Sequence, residues 1–323
     1  MNNALLRIQG LRTYFYTEEG VVRAADGVDL EIFPGETLGL VGESGCGKTV
    51  TAKSILRLIP DPPGRVVEGS VFFEGRDLLK LDRRSLRREI RGNRISMIFQ
   101  DPMTSLNPVY TVGEQVSEAF RAHRRIGRAR ALRESVEILG RVGIASPERM
   151  VREYPHRYSG GMRQRAMIAM ALACRPALLL ADEPSTALDV TIQAQILELM
   201  KHLREEFQTS ILLITHNLGV VAEMADRVAV MYAGQVVEKC GVERFFDGPA
   251  HPYATGLLHS FPGMARRAGR LDPIPGSIPD MVRPPEGCRF HPRCRKALPR
   301  CTENPPPVTR LEEGHLVRCW LYE

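Results

Sequence analysis

Gly42-Glu-Ser-Gly-Cys-Gly-Lys-Thr49 decides how this chain folds. The stretch has the form G-x-x-x-x-G-K-[ST] and directly follows the apolar run Thr37–Val41. A buried strand therefore feeds a glycine-rich turn and then a helix, the setting in which backbone N–H groups surround a phosphate chain. The dipole of that helix adds to the attraction for an anion. Lys48 is placed to reach the β- and γ-phosphates of a nucleoside triphosphate, and the Thr49 hydroxyl to hold Mg²⁺. Gly42, Glu43, Ser44, Gly45, Cys46, Gly47, Lys48, Thr49 and Val50 are the candidate nucleotide-binding residues. The helix should run from Lys48 to about Ile59, stopped by Pro60, Pro62 and Pro63.

Outward from this point the chain keeps alternating. Short β-like runs occupy 5–9, 13–16, 28–33 and 37–40, another strand pair surrounds 69–74, and 95–99 is a compact apolar strand. From 111 to about 175 the apolar residues recur at helical spacing (Val112, Val116, Phe120; Leu132, Val136, Leu139). Strand–helix alternation resumes with 177–181, 190–207, 210–215, 218–224 and 227–231. The expectation is an α/β P-loop NTPase core over 1–260, with an antiparallel β subdomain and a helical insertion near 103–158. Past 260, Pro273, Pro275, Pro279, Pro284 and Pro285 predict an extended linker. The region 261–323 reads as a linker and a small, irregular, Cys-rich appendage, separate from the cassette.

With 323 residues, 43% hydrophobic and 25% charged, the chain has the composition of a folded soluble protein. No apolar run approaches 18 residues, and the N-terminus lacks the basic and apolar segments of an export signal. A cytosolic chain is expected, its seven cysteines reduced unless they hold a metal. The net charge of +6 owes much to arginines in 83–94 and 121–133. Each patch reads as a solvated helical face or as a contact for anionic headgroups or an acidic partner. No aromatics interleave them, so a nucleic-acid partner is not expected.

Leu178-Leu-Leu-Ala-Asp-Glu183 is an apolar strand ending in two carboxylates. Successive strand residues face opposite ways, so Asp182 and Glu183 have different tasks. One holds Mg²⁺ and the other polarises the attacking water. His216 ends the run 210–215, where α/β sheets place their ligands. It is a candidate contact for the γ-phosphate. Gln100 ends the run 95–99, in reach of metal and water. Ser159-Gly160-Gly161-Met162 opens a further helix, with serine as cap and two glycines that let an anion approach. One chain thus carries two phosphate-binding helix starts but one lysine–metal set. Two copies arranged head to tail would use both.

This set resembles the nucleotide-binding subunit of an ABC transporter over residues from about 4 to 260. Gly42–Thr49 matches its Walker A motif, Gln100 its Q-loop, and Tyr158-Ser-Gly-Gly-Met162 its signature, which departs from the common Leu-Ser-Gly-Gly-Gln at both ends. Residues 178–182 with Glu183 match Walker B, Ala187-Leu188-Asp189 the D-loop, and His216 the switch histidine. The resemblance implies an ATPase with Glu183, His216 and Gln100 as catalytic residues and Thr49, Gln100 and Asp182 around Mg²⁺. Ser159, Gly160, Gly161 and Asp189 would meet a partner's ATP. Phe15 would stack on adenine, with Tyr14 in reserve. Gln100-Asp-Pro-Met-Thr-Ser-Leu-Asn-Pro108, Ala187-Leu-Asp-Val-Thr-Ile-Gln193 and His251-Pro-Tyr253 are similar to the dipeptide/oligopeptide importer branch, whose pattern nickel importers share. That implies a paralogous ATPase partner, two transmembrane permease subunits and a substrate-binding protein. It also implies a peripheral position on the cytoplasmic face of the inner membrane. A soluble ABC ATPase acting on DNA or ribosomes is the other class, disfavoured by the single compact cassette.

Cys288, Cys294, Cys301 and Cys319 are spaced C-x5-C-x6-C-x17-C. From spacing alone they read as metal ligands or as unligated thiols, without the C-x2-C pairs usual for zinc. The resemblance, to peptide-importer ATPases with cluster-bearing C-terminal regions, implies a [4Fe–4S] cluster, with zinc second. Cys46 has two readings: a thiol whose pKa is lowered by the adjacent helix N-terminus, or a small residue that fits the turn. Cys174 and Cys240 read as core and loop residues.

Overall fold

The computed structural model describes residues 4–100, 105–185, 189–260 and 274–323. Positions 101–104 after the Q-loop glutamine, Ala187 and Leu188 of the D-loop, and Pro273 lie outside the described residues.

Two long strands, β1 (Leu6–Thr17) and β2 (Gly20–Ile32), open the chain as an antiparallel pair. The sequence reads there as three short runs. They are continuous because Gly10 and Gly27, at φ 56° and 78°, sit in bulges that absorb the extra residue instead of ending the strand. β3 (Thr37–Val41) is buried throughout and leads through the phosphate loop into α1 (Lys48–Ile55). That helix is shorter than expected. Arg57 turns left-handed at φ 52° and the Leu58 N–H donates to the Lys53 carbonyl at 2.8 Å, so the helix closes before its prolines are reached.

β4 (Gly64–Phe73) pairs with β1, and β5 (Arg76–Asp77) with β4. β6 (Ile95–Ile98) precedes four helices, α2 (Val112–Arg124), α3 (Arg128–Arg141), α4 (Pro147–Met150) and α5 (Gly160–Leu172). Thr111 and Glu114 form a reciprocal capping box that starts α2. Then come β7 (Leu178–Asp182), α6 (Val190–Phe207), β8 (Ser210–Ile214), α7 (Leu218–Met224), β9 (Arg227–Tyr232), β10 (Gln235–Gly241), α8 (Val242–Asp247) and α9 (Pro252–His259). A hairpin of β11 (Val308–Glu312) and β12 (His315–Arg318) closes the series.

The chain divides into two compact units, Met1–Leu79 with Leu213–Glu323, and Lys80–Leu212, and β8 runs from the second into the first. The first unit holds the antiparallel sheet β2-β1-β4-β5 and the strand series β11-β12-β10-β9-β3. β3 and β9 are parallel, whereas β9, β10, β12 and β11 are antiparallel neighbours. Its core gathers Val41, Val221, Val230, Tyr232, Phe245, Tyr253, Leu258 and Phe290.

Phe290 belongs to the Cys-rich region, and β12 pairs with β10 through Glu238–Val317 and Lys239–Leu316. The region 274–323 is therefore not a separate appendage, and a boundary at 260 does not divide the structure. Its few apolar side chains complete a core begun elsewhere in the chain. Cys240 correspondingly lies buried in β10 rather than in a loop.

In the second unit β6 and β7 are parallel, with Ile95 opposite Leu178 and Ile98 opposite Ala181. The arginine patches meet here, where His123 Nδ1 lies 3.2 Å from the Arg88 carbonyl. Arg124 and Arg130 both pair with Glu134, and Arg128 with Glu114, as on a solvated ion-paired helical face.

Candidate active site

The phosphate loop is shaped by its glycines. Gly42 and Gly47 adopt φ 150° and 106°, and a side chain at either would run into a backbone carbonyl, that of Met231 or of Ala24. Only glycine meets both demands. Lys48 is buried. Its ammonium donates to the Gly42 carbonyl at 2.7 Å and the Glu43 carbonyl at 2.9 Å, and lies 3.7 Å from the Cys46 sulfur. Ser44 and Gly45 form the exposed tip, while Thr49 and Val50 are half-buried at the helix start.

Cys46 is fully buried, and burial raises its thiol pKa despite the lowering effect of Lys48. The expectation of an activated thiol is thereby corrected: Cys46 is the small side chain that fits the turn.

His216 stands exposed at the end of β8. The Thr215 N–H reaches the Leu40 carbonyl at 3.4 Å, which sets His216 one strand away from the phosphate loop. Asn217 caps α7 through the Gly219 N–H. On β1, Phe15 is half-buried against Gly64 and faces Val22 in register. Tyr14 donates to Asp26 at 2.7 Å, and burial together with that bond pushes its pKa up to about 12. Its hydroxyl is committed to Asp26, and the open ring at this strand end is Tyr16, 53% exposed, which the sequence reading did not single out.

In the second unit, Asp182 is buried at the end of β7. Glu183, the next residue, takes a left-handed backbone at φ 49°, unusual for a side-chain-bearing residue and costly unless its surroundings enforce it. The turn brings its carboxylate to Gln100, whose amide donates to Glu183 Oε2 at 3.1 Å. Gln164, unnoticed in the sequence, is buried in α5 and donates to the Pro184 carbonyl, fixing the residue after Glu183. Only a helix position facing inward marks it out. Ser159 caps α5, accepting from the Met162 N–H at 3.3 Å, with Gly160 and Gly161 opening the helix. A side chain on Gly161 would press on Ile192, and Asp189 caps that neighbouring α6 by accepting from the Ile192 N–H at 2.9 Å.

The tail grips the phosphate loop from behind. Arg293 donates to both oxygens of Glu43, at 2.8 and 3.0 Å, and also to the Pro275 carbonyl at 2.8 Å. Its guanidinium lies 5.7 Å from the Tyr232 ring centre. Tyr253 accepts the Glu43 N–H at 2.9 Å. Phe290 packs its ring among Tyr232, Tyr253 and His251. Arg289 donates to the Ala233 carbonyl and to Asp26. Burial would raise the Asp26 pKa, but the Tyr14 hydroxyl, Arg289 and Arg12 hold it below the usual carboxylate range.

Cys288, Cys294, Cys301 and Cys319 converge, since each lies close enough to the other three for their charges to interact. Burial first, and neighbouring thiolates after it, push the Cys288 pKa up to about 11. Among the described residues the compact ligand set is a different one, Glu238, Cys240 and His315, within 4.8 Å of one another; no three of the tail sulfurs are that close. A single zinc ion needs sulfurs about 3.8 Å apart, given Zn–S bonds of about 2.3 Å. Four thiols are donors of the type that an iron–sulfur cluster or a zinc ion takes. Glu238 already accepts the Ala250 and His251 N–H groups, both at 2.7 Å, and His315 Nε2 at 2.9 Å.

A chain built this way is a P-loop ATPase of the ABC type. The family description "ABC transporter" matches residues 25–186, and "Oligopeptide/dipeptide transporter, C-terminal region" matches residues 237–301. The probable peptide ABC transporter ATP-binding protein y4tR of Sinorhizobium fredii is 55% identical over 98% of this chain and 94% of its own length. The oligopeptide transport ATP-binding protein AppD of Bacillus subtilis is 52% identical, over 99% and 98%. The dimeric post-hydrolysis structure of the ATP-binding cassette MJ0796 with ADP and Pi superposes with a TM-score of 0.65 at 27% identity, over 73% of this chain and 98% of that one. The chain belongs to the ABC transporter family, among the ATP-binding subunits of its oligopeptide/dipeptide importers.

Proposed function

We propose that this chain is the ATP-hydrolysing motor of an importer that carries dipeptides or oligopeptides across the bacterial cytoplasmic membrane. Names of the relatives and the C-terminal family description support the peptide class. Two such cassettes, this one and a paralogue, work head to tail beneath two permease subunits, with a substrate-binding protein delivering the peptide. The chain sits on the cytoplasmic face as a peripheral subunit; among the described residues no helix is long and apolar enough to cross a membrane.

The hydrolytic reading is carried by Glu183, turned left-handed onto Gln100. In the cycle, Lys48 exchanges the Gly42 and Glu43 carbonyls for the β- and γ-phosphates of ATP, and loop N–H groups take the remaining oxygens. Thr49, Asp182 and Gln100 supply hard oxygen donors that would hold Mg²⁺, which would spread the charge of the phosphate chain. Glu183 accepts the proton of the attacking water, His216 contacts the γ-phosphate, and Phe15 supports adenine. The partner's cassette offers Ser159, Gly160 and Gly161, with Asp189 beside them, to the same γ-phosphate. Hydrolysis then waits for the two cassettes to close.

The test is Glu183→Gln in the assembled complex. ATP binding persists while turnover falls by roughly 10²–10⁴-fold, the usual worth of a general base. Wild-type turnover in that variant would remove Glu183 from its role.

We infer in addition that the four tail cysteines hold a [4Fe–4S] cluster. It serves as a structural staple, because no step of ATP-driven transport requires an electron. Iron and acid-labile sulfide in anaerobically purified protein support this; stoichiometric zinc without iron contradicts it.

A further inference from the structure

An acidic residue stands inside an anion-binding loop. Glu43 is the second residue of the phosphate loop, where its charge opposes an incoming triphosphate. Its carboxylate is cancelled by one cation, Arg293, through two parallel N–H···O bonds at 2.8 and 3.0 Å. The Arg293 side chain is 5% exposed, against 29% for Glu43. Such a fork is the strongest form of carboxylate–guanidinium contact, and planar geometry fixes both partners. Three further contacts pin Arg293: the Pro275 carbonyl, the face of Tyr232 and the Tyr232 hydroxyl at 3.4 Å.

We propose that Arg293 is a positioning residue for ATP: it neutralises Glu43 and holds the phosphate loop open to a triphosphate from outside the cassette motifs. It acts through Glu43, whose N–H is at the same time held by the Tyr253 hydroxyl. Side chain and backbone of one loop residue are thus fixed by two residues far along the chain. Arg293 adjoins Cys294, so the packing of the cysteine region bears directly on the loop. The inference rests on the reading that residues 42–49 hold the triphosphate.

The experiment measures ATP and ADP affinity of the full chain with a fluorescent nucleotide, in wild type, Arg293→Met, Arg293→Lys, and Arg293→Met combined with Glu43→Gln. Methionine keeps the apolar stem and removes the charge. Arg293→Met should weaken ATP by about tenfold, and ADP by less because it carries less charge. Adding Glu43→Gln should recover most of that loss, since the uncancelled carboxylate is its main source. A residue that merely supports packing would not be rescued from a second site. Arg293→Lys keeps the charge without the fork and should fall between wild type and Arg293→Met.

Unchanged ATP affinity in Arg293→Met overturns the proposal, and so does a loss that Glu43→Gln fails to relieve. If Arg293→Met does not fold, Arg293→Lys decides: wild-type affinity there also overturns it. Should wild type itself bind no ATP, the phosphate-loop reading fails instead, which separates the two outcomes.

Discussion

Around the phosphate loop much of the constraint arrives from elsewhere in the chain: Ala24 and Met231 crowd its glycines, Tyr253 takes a loop N–H, and Arg293 grips Glu43. Around Glu183 and Ser159 local backbone geometry does more of the work, beside the bonds from Gln100 and Gln164. A left-handed residue follows directly on a strand end, and a serine caps its own helix. The base of the phosphate loop, at Cys46, Gly47 and Lys48, is buried and held from behind, whereas Gln100 and Ser159 stand exposed at element ends. The difference teaches how labour is divided. Loop geometry is prepaid in the folded core, so ATP meets a formed cradle.

The contrast can be broken at the aromatic cluster behind the loop. Phe290→Ala removes a buried ring from between Tyr232, Tyr253 and His251, and should cost about 3–5 kcal/mol in chemical denaturation. A cost under about 1 kcal/mol would mean that the tail does not lock the loop's core.

A smaller effect sharpens it through pH. His251 is buried, caps α9 by accepting the Tyr253 N–H at 3.0 Å, and burial lowers its pKa to about 3. Unfolding restores the ordinary value near 6.5, so the unfolded chain binds the proton first as pH falls. The stabilisation is complete above about pH 6.5 and drains away toward pH 3. Between pH 7 and pH 5 the loss should be ~2 kcal/mol. His251→Asn keeps a capping acceptor but cannot titrate there, so its stability should fall less over the same interval. Parallel pH profiles would acquit the histidine.

The smallest effect is on the exposed side. Ser159→Ala should cost about 1 kcal/mol of stability through the lost cap. If Ser159 also serves a partner's ATP, turnover of the assembled complex falls well beyond what that loss explains. Proportionate losses would leave Ser159 as a helix cap alone.

What the sequence made legible follows from how local each signal is. The β3–loop–α1 unit, α6, α7 and the Ser159 cap depend on periodicity and capping within a few residues, and they stand where the pattern placed them, save that α1 stops early at Ile55. Glu183 and Gln100 were legible as motif residues, but the backbone turn that joins them was not, because nothing in the side chain announces a positive φ. The tail was misread for the opposite reason. Phe290, Cys301 and Val317 are scattered among prolines and charges, with no period to betray a buried face. They are core residues only because β10 and the Tyr232–Tyr253 pair wait for them. Cys46 shows the same limit: a helix start argued for an acidic thiol, and burial, visible only in three dimensions, outweighed it.

The second unit is one uninterrupted stretch, Lys80–Leu212, while the first is assembled from segments on both sides of it. On a ribosome Asp182 and Glu183 can therefore settle while the phosphate loop still lacks the residues behind it. Glu43 has no counter-charge until Arg293 has been synthesised and threaded home. On the role proposed for Arg293, a nascent chain does not grip nucleotide before that residue is in place.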